Sequence, residues 1–240
     1  MSSSNAETVW FVTGTSRGIG LEITTQLLQS PGNVVLAACR SPFKANALQA
    51  LTASASGRLH ILRLDVDDAQ SIKDAASEAT QIVGEKGIDY LINNAGINPG
   101  GFDTAFGFKV ADLTAVFQTN VIGPALLAQA FLPLVEESGK KTIVNVSSTL
   151  GSVGTDLGQT FASYSVAKAG LNMLTSKQAK ERPDVTAIAM CPGHLQTDLG
   201  GPNATTPVSV GVSGVLKVVS GLTRGDSGSF FNYQGDRVQW

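Results

Sequence analysis

The sequence predicts one α/β domain, in which a doubly wound parallel sheet of seven strands carries helices on both faces. Short runs of β-branched and apolar residues alternate along the chain with helical segments. Several strand candidates are continuous apolar runs, as strands buried on both faces require. Strand alternating with helix implies right-handed crossovers and a parallel sheet. The 240 residues suffice for a single domain over 1–240, and no internal repeat or low-complexity linker divides them.

The elements follow one another in a regular order. The predicted strands are 8–13, 33–39, 60–65, 88–93, 142–147, 185–190 and 229–233. The predicted helices are 18–28, 69–83, 111–132, 164–179 and 208–222. The loops that follow the strands therefore meet at one edge of the sheet, where open α/β sheets bind their ligands.

The composition argues against several classes of partner. Lys and Arg number 17 against 19 Asp and Glu, and no basic stripe or polybasic patch indicates nucleic acid or an anionic membrane. Cys39 and Cys191 fit neither a metal site nor a disulfide framework, which favours a reducing compartment. The polar segment 1–7 lacks the order of a signal peptide, and the most apolar stretch, 121–135, is too short to span a bilayer. We expect a soluble, cytoplasmic protein.

A glycine-rich loop, Thr13-Gly14-Thr15-Ser16-Arg17-Gly18-Ile19-Gly20, connects the first strand to the first helix. Glycine lets the backbone turn tightly and approach a pyrophosphate, whose charge meets the amides at the start of the helix. The spacing is G-x-x-x-G-x-G, and a glycine cluster alone is most often just a turn. Its placement between a first strand and a first helix predicts a dinucleotide site. The expected contact residues are Gly14, Ser16, Arg17, Gly18, Ile19 and Gly20.

The residue after the second strand predicts which dinucleotide binds. Folds that bind NAD commonly carry an acidic residue there, which accepts hydrogen bonds from the adenine ribose 2′-hydroxyl. This chain has Arg40 instead, and Arg40 together with Arg17 suits the 2′-phosphate of NADP(H). The alternative is that Arg40 is an exposed structural arginine. We predict NADP(H) rather than NAD(H).

The third and fourth strands also end in polar or small residues at this edge. Asp65 could accept a hydrogen bond from the adenine amino group, with Val66 beside it. Its alternative role is a helix cap, although Asp67-Asp68 lies closer to the next helix. After the fourth strand, Asn94-Ala95-Gly96 supplies small residues that admit a cofactor and an amide that can join the loop to neighbouring strands.

Tyr164 and Lys168 stand four residues apart on a predicted helix. Residues at this spacing lie on one face, one turn from each other. A nearby ammonium favours the ionised phenol, so a group that titrates near ~10 exchanges protons closer to neutral pH. Taken alone, the pair is equally what an ordinary solvated helix face supplies by chance.

Together, the motifs resemble those of the short-chain dehydrogenase/reductase family, which has a Rossmann fold. The matching residues, in the family's order over nearly the whole chain, are Thr13-Gly14-x-x-x-Gly18-Ile19-Gly20, Asn93-Asn94-Ala95-Gly96, Asn120, Ser147-Ser148, Tyr164-x-x-x-Lys168, Pro192-Gly193 and Thr197. Segments 148–152, 197–204 and 233–240 are similar to the carbonyl reductase branch related to sniffer and C-factor, and to some fungal polyketide ketoreductases.

The resemblance implies catalytic roles for four residues. Tyr164 would be the general acid that protonates a substrate carbonyl as hydride arrives from the nicotinamide. Lys168 would bind the nicotinamide ribose hydroxyls and lower the pKa of the tyrosine. Ser148 would hydrogen-bond the carbonyl oxygen. Asn120 would hold a water that links Lys168 to solvent, and its alternative is an asparagine that merely disturbs a helix.

The choice of Ser148 over Ser147 depends on a glycine. The family sets its catalytic serine three residues before a glycine, which Gly151 satisfies for Ser148. Ser148 precedes Tyr164 by sixteen residues, which is wider than usual in the family. An additional loop segment within 150–161 accounts for the difference.

The segment after the sixth strand resembles the one that holds the nicotinamide carboxamide in relatives. The matching residues are Pro192, Gly193, Leu195 and Thr197. His194 is interpreted as a loop histidine on the substrate side, with a catalytic role as the alternative.

Three loops at the carboxyl edge, 97–109, 149–163 and 194–207, are expected to form the substrate site. The first carries Phe102, Phe106 and Phe108, which either contact an apolar or aromatic carbonyl substrate or pack the loop on itself.

We therefore predict an NADPH-dependent reductase of a small-molecule ketone or aldehyde, with no metal. The alternatives are a catalytically silent NADP(H)-sensing regulatory protein and an alcohol dehydrogenase that works oxidatively. Relatives pair the helices that carry Asn120 and Tyr164, so we expect a homodimer or homotetramer. Burial within the subunit explains part of the same pattern. The small and apolar residues concerned are Ala125, Leu126, Ala128, Ala167, Ala169 and Gly170.

Overall fold

The computed structural model describes residues 7–240, which form a seven-stranded, entirely parallel sheet with helices between the strands. The strands are β1 (Thr8–Thr13), β2 (Asn33–Cys39), β3 (Leu59–Arg63), β4 (Tyr90–Asn93), β5 (Thr142–Val146), β6 (Thr186–Cys191) and β7 (Phe230–Asn232). The helices are α1 (Gly18–Leu27), α2 (Asn46–Ala50), α3 (Thr52–Ala55), α4 (Ala69–Val83), α5 (Val110–Phe117), α6 (Gly123–Glu137), α7 (Ala162–Glu181) and α8 (Val208–Ser220). Residues 1–6, which carry most of the segment used to predict that no signal peptide is present, lie outside the described residues.

Helices cover both faces of the sheet, because successive side chains of β1 are buried alternately on one face and on the other. Val9 and Phe11 belong to one buried cluster, into which α4 and α6 insert their apolar side chains. Trp10 and Val12 belong to the opposite cluster, with side chains from α1 and α8. Burial of successive residues on opposite sides requires a layer on each face. The predicted fold class is confirmed.

Most element boundaries follow the apolar runs of the sequence. β1, β2 and α4 begin and end at the predicted residues, and most other boundaries differ by one or two residues. The short helices α2 and α3 were not predicted, because five and four residues are too few to show a helical repeat.

The helix predicted over 111–132 is longer and less regular than expected. α5, a π-helical segment (Gln118–Ile122) and α6 form 28 continuous helical residues, which pass through Pro133. By length and apolar composition this is the one helix among the described residues that could cross a membrane. The apolar run 121–135 is part of this longer helix, and 44% of its most apolar window is buried within the subunit. Phe131 of this helix packs on Phe11 of β1, with ring centroids 4.3 Å apart.

The strand order places the functional edge. It runs β3-β2-β1-β4-β5-β6-β7, so successive strands are added on one side of β1 up to β3 and on its other side from β4 onward. Ligands of open α/β sheets bind beyond the carboxyl ends of the strands at this switch point. The loops after β1 and β4 carry the glycine-rich segment and Asn94-Ala95-Gly96.

Part of the small-residue pattern on the central helices serves the subunit itself. Ala128 and Ala167 are buried within it, and the nearest neighbours of a Cβ at Gly170 would be Phe117 and Val121. Assembly into a homodimer or homotetramer stays a prediction.

Candidate active site

The glycine-rich turn after β1 leaves no room for side chains. Gly14 and Gly18 have φ of +72° and +57°, in the region that favours glycine. A Cβ at Gly14 would lie 2.9 Å from Cα of Ala95, and one at Gly20 would collide with the carbonyl oxygen of Gly14. Glycine at these positions therefore lets the turn pack closely on itself and on the loop after β4, as the tight turn of a dinucleotide site requires.

Asn94 joins this turn to the end of β4. Its Nδ2 donates to the carbonyl oxygen of Thr13 at 2.8 Å. The Thr13 hydroxyl accepts from the backbone amides of Asn94 and Ala95, both at 3.0 Å. These bonds hold the loops after β1 and β4 as one rigid surface, which is the stitching role predicted for the asparagine.

The first turn of α1 is suited to an anion. No side chain caps its amides, and no acidic residue stands in its first turn. Ser16 and Arg17 are exposed immediately before it, and Ile19 lies in its first turn. Free amides and the positive end of the helix dipole together attract a phosphate.

The two arginines predicted to bind a 2′-phosphate differ in their surroundings. Arg17 forms an ion pair with Asp198 at 2.9 Å, with both side chains three-quarters exposed (75%). This pairing was not predicted, and it joins the glycine-rich turn to loop 194–207. Exposed pairs of this kind are weak, so the guanidinium can exchange one anionic partner for another. Arg40 is exposed directly after β2, whose end pairs with the end of β1.

Asp65 does not cap α4. Its Oδ1 accepts from the amide of Asp67 at 3.1 Å, whereas Asp68 caps the helix by accepting from the amide of Gln70 at 2.9 Å. Of the two roles considered for Asp65, the cap is therefore wrong. Val66 is buried, and a Cβ at Gly123 would lie 2.8 Å from its carbonyl oxygen.

Tyr164 and Lys168 lie one turn apart on α7, as their spacing predicts. The Lys168 Nζ is 5.5 Å from the centre of the Tyr164 ring. It donates a hydrogen bond of 2.7 Å to the carbonyl oxygen of Val146, at the end of β5. Lys168 is 4% exposed, so its ammonium is held inside the protein rather than on a solvated helix face.

Burial dominates the electrostatics of this pair. Desolvation raises the pKa of Tyr164 above its ordinary value, and the neighbouring Cys191 thiol adds to the shift. Desolvation also lowers the pKa of Lys168 to about 8. Desolvation is the largest effect on both groups, and the lowering of the tyrosine pKa that the resemblance implies, through Lys168 and the oxidised nicotinamide, stays a prediction.

The geometry separates Ser147 from Ser148. Ser147 is buried, and its hydroxyl donates to Oδ1 of Asn172 at 2.6 Å. Ser148 is partly exposed, and its Oγ makes one hydrogen bond of 3.2 Å, accepted from the amide of Leu150. Ser147 thus has a structural partner, while the Ser148 hydroxyl retains its proton for another acceptor.

Gly151 explains why a glycine must follow Ser148. A Cβ at Gly151 would lie 2.6 Å from the backbone carbon and 2.7 Å from the Cβ of Lys168. The turn Thr149–Gly151 therefore presses directly on α7 at the residue that carries the ammonium. The Gly151 amide also donates to the carbonyl oxygen of Ser148 at 2.8 Å.

Asn120 uses its whole side chain to fix the loop after β4. Its Oδ1 accepts from the Ile97 amide and its Nδ2 donates to the Ile97 carbonyl, both at 2.9 Å. A Cβ at Gly96 would lie 3.3 Å from Asn120 Oδ1 and 3.8 Å from Lys168 Nζ, so Asn120 and Lys168 border the same small space.

Asn120 lies within the π-helical segment. Pro124 has no N–H, so the carbonyl of Asn120 loses its regular helical donor four residues on. The side chain of Asn120 is engaged by Ile97. The helix is thus disturbed at Asn120, and the relay through a bound water stays a prediction.

Two buried asparagines beneath the site were not predicted. Asn145 of β5 accepts from Asn93 and donates to Thr175 of α7, at 2.8 and 2.9 Å. Asn172 donates to the carbonyl of Gly151 at 3.0 Å. Two signals indicate them: an asparagine inside the apolar run of β5, and an asparagine four residues after Lys168 on the same face of α7.

The loop after β6 closes on itself. Gly193 has φ of +93°, and Leu195 is buried. The Thr197 hydroxyl accepts from the Gly200 amide at 3.2 Å. The His194 Nε2 lies 2.7 Å from the carbonyl oxygen of Gly200. His194 therefore has a structural partner within the loop, and no contact of its ring supports a catalytic role.

The phenylalanines of loop 97–109 divide between the two roles considered for them. Phe102 packs on Phe161 of loop 149–163, with ring centroids 4.6 Å apart, although it stays 70% exposed. Phe106 and Phe108 are exposed as well. The loop thus presents apolar surface at the carboxyl edge of the sheet.

Comparison with known proteins identifies relatives of similar sequence and solved structures of similar fold. The family model described as short chain dehydrogenase matches residues 8–207. NADPH-bound carbonyl reductase from chicken fatty liver is 36% identical, with a TM-score of 0.89 over 98% of this chain and 100% of that one. Carbonyl reductase Sniffer of D. melanogaster is 27% identical, with a TM-score of 0.92 over the same shares. The C-signal protein of Myxococcus xanthus is 36% identical over 156 residues, 64% of this chain and 93% of that protein. The resemblance drawn from the motifs is confirmed.

The contact between Gly151 and α7 predicts a sharp steric effect. Gly151→Ala should destabilise the protein by roughly 1–3 kcal/mol, because the added methyl group overlaps the backbone of Lys168. Denaturant unfolding measures the loss. The matched control is Gly139→Ala, since a Cβ there meets nothing within 4 Å. Equal stability of the two variants would contradict the close approach of the turn to α7.

Proposed function

Since the chain belongs to the short chain dehydrogenase family, we propose that it is an NADPH-dependent carbonyl reductase. It is an oxidoreductase by family, and the finer proposal is that it reduces an apolar or aromatic ketone or aldehyde to the alcohol. The observation that carries the proposal is the pair on α7, in which the ring of Tyr164 has its centre 5.5 Å from the buried ammonium of Lys168. A tyrosine beside a cation can give its proton to a carbonyl oxygen, because the ammonium stabilises the phenolate that forms.

The residues at the switch point fit NADPH. The turn is tight, because a Cβ at Gly14 or Gly20 would meet neighbouring backbone, and the uncapped first turn of α1 offers amides to a pyrophosphate. Arg40 stands at the end of β2 in the place of a carboxylate, and its planar fork suits a 2′-phosphate. The carbonyl reductase from chicken fatty liver, which has the same fold, binds NADPH.

The proposed chemistry divides between cofactor and protein. When bound, NADPH supplies the hydride that reduces the carbonyl carbon. Ser148 donates a hydrogen bond to the carbonyl oxygen and fixes its direction, and Tyr164 gives that oxygen its proton. The Lys168 ammonium stabilises the phenolate that remains, because opposite charges attract strongly inside the protein. A water bound at Asn120 is the predicted route by which the proton is replaced.

The cofactor choice favours reduction over oxidation. No carboxylate follows β2, and Arg40 stands there instead, which supports NADPH over NADH. Because NADPH is generally poised to donate a hydride, a reductase is favoured over an alcohol dehydrogenase.

Tyr164→Phe tests the proposal directly. It removes the proton donor and keeps the ring, so we expect kcat for ketone reduction to fall by roughly 10²–10⁴-fold. The affinity for NADPH, measured by fluorescence titration, should stay within about twofold because the variant is isosteric. Tyr90→Phe is the matched control, because Tyr90 lies at the amino end of β4, whereas the proposed site lies at the carboxyl ends of the strands. Wild-type protein that binds NADPH yet reduces no ketone in a broad panel would instead indicate a nucleotide sensor.

Replacement of Arg40 tests the choice of cofactor. Arg40→Ala should raise KM for NADPH by roughly 10–100-fold, the effect of losing a charged hydrogen bond to phosphate. KM for NADH should not change, because NADH lacks the 2′-phosphate. Arg224→Ala, at an exposed turn before β7, controls for the loss of surface charge. Equal changes in KM for NADPH and NADH would contradict the assignment of Arg40 to the 2′-phosphate.

Lys168 predicts a pH dependence. Its ammonium is charged below its pKa of about 8 and neutral above it, so kcat/KM for NADPH should fall as pH rises through about 8. In Lys168→Arg, whose guanidinium stays charged, the remaining activity should not fall in this range. Initial rates between about pH 6 and 10 measure the profile. A fall shared by both proteins would mean that another group titrates.

A further inference from the structure

The N-terminus of α7 lacks a cap from its own segment. Phe161 precedes the helix with φ of +63°, a conformation uncommon for a residue other than glycine, and no side chain of that segment caps the first turn. The first amides of a helix have no partner within it and need acceptors from elsewhere. Tyr164 is the third residue of this helix, so whatever satisfies these amides also fixes the tyrosine.

Asp103 of loop 97–109 supplies the acceptors from across the cleft. Its main-chain carbonyl accepts from the amide of Ala162, and its Oδ1 accepts from the amide of Ser163, both at 3.2 Å. One residue thus satisfies two successive amides directly before Tyr164. The separation of sixty residues between Asp103 and Ser163 makes this a tertiary cap rather than a local one.

The residues on either side of Asp103 make the contact a broad one. Thr104 pairs with Thr160 in an antiparallel bridge. The rings of Phe102 and Phe161 pack with centroids 4.6 Å apart. Three consecutive residues of loop 97–109 therefore follow the chain that leads into α7, and the loop cannot shift without moving that chain.

The space around the carboxylate is filled. A Cβ at Gly100 would collide with Oδ2 of Asp103 and would lie 2.6 Å from the Ser163 hydroxyl. The amide of Asp103 donates to the carbonyl of Gly100 at 3.2 Å, which closes a tight turn around the side chain. Oδ2 of Asp103 and Oγ of Ser163 are buried without a hydrogen-bond partner among the described residues. Such an arrangement costs free energy and calls for a functional explanation.

We propose that Asp103 is a positioning residue, which ties the loop that receives the substrate to the helix that carries the proton donor. The inference rests on the proposed reductase function and adds that the carbonyl and the Tyr164 phenol are aligned through this cap. Displacement of a catalytic group by about 1 Å can cost ~10²-fold in rate, so loss of the cap should slow proton transfer without affecting nucleotide binding.

Three variants test the cap. Asp103→Ala removes the Oδ1 acceptor, and we expect kcat with an aromatic ketone to fall by about tenfold or more, with the Kd for NADPH within about twofold of wild type. Asp103→Asn keeps an oxygen at Oδ1 and should restore kcat to within about threefold. Asp68→Ala is the matched control, because Asp68 caps α4 through a comparable bond to the Gln70 amide and lies outside the site. It should leave kcat unchanged.

Hydrogen exchange gives a readout that needs no turnover. The amide of Ser163, which donates to Oδ1, should exchange faster in Asp103→Ala and regain protection in Asp103→Asn, while Asp68→Ala leaves it protected. Three results would overturn the inference: full kcat in Asp103→Ala, equal losses in the Ala and Asn variants, or an equal loss in Asp68→Ala. Wild-type protein without turnover would overturn the proposed function, and hydrogen exchange would still decide whether Asp103 holds α7.

Discussion

Burial of the Lys168 ammonium is the constraint on which the rest of the site depends. A charged group inside a protein needs partners, and here the carbonyl oxygen of Val146 provides one at 2.7 Å. The neighbouring turn can approach Lys168 this closely because Gly151 lacks a side chain. The cost of burial is visible in the pKa of Lys168, which is lowered to about 8. The pKa of a buried ammonium changes more when a charge appears nearby than the pKa of a surface lysine does.

The layer beneath the site keeps this cation in place. Asn145 bridges β4, β5 and α7 through Asn93 and Thr175, and Asn172 holds the turn that contains Gly151. Buried amides of this kind fix a single register, because a slipped helix would leave them unsatisfied. The same layer serves both catalysis and folding, so a substitution here is expected to change stability and rate together.

The sequence was sufficient to predict the strands and to identify the motifs, but not to predict how far the site residues are buried or which partners they find. Continuous apolar runs located β1 and β2 to the residue, since strands buried on both faces must be apolar throughout. The helix over 111–132 was predicted as regular, because the spacing of apolar residues does not reveal a π-helical segment. The burial of Lys168 was not predicted, since spacing gives the charge of a neighbour but not the depth of burial. His194 and Arg17 found partners in loop 194–207 whose shape no local pattern encodes.

The cap on α7 links two parts of the fold that are usually treated as independent. Loops at the carboxyl edge of a sheet vary readily because a rigid scaffold carries them, and this freedom lets one fold accept many substrates. In this chain the freedom is limited, because Asp103 in loop 97–109 also holds the amides that precede Tyr164. A change of loop that improves contact with a new substrate must preserve an acceptor at this point, or the proton donor moves. Specificity and rate are therefore coupled through one side chain, and residues around Phe102 can vary more freely than Asp103 itself.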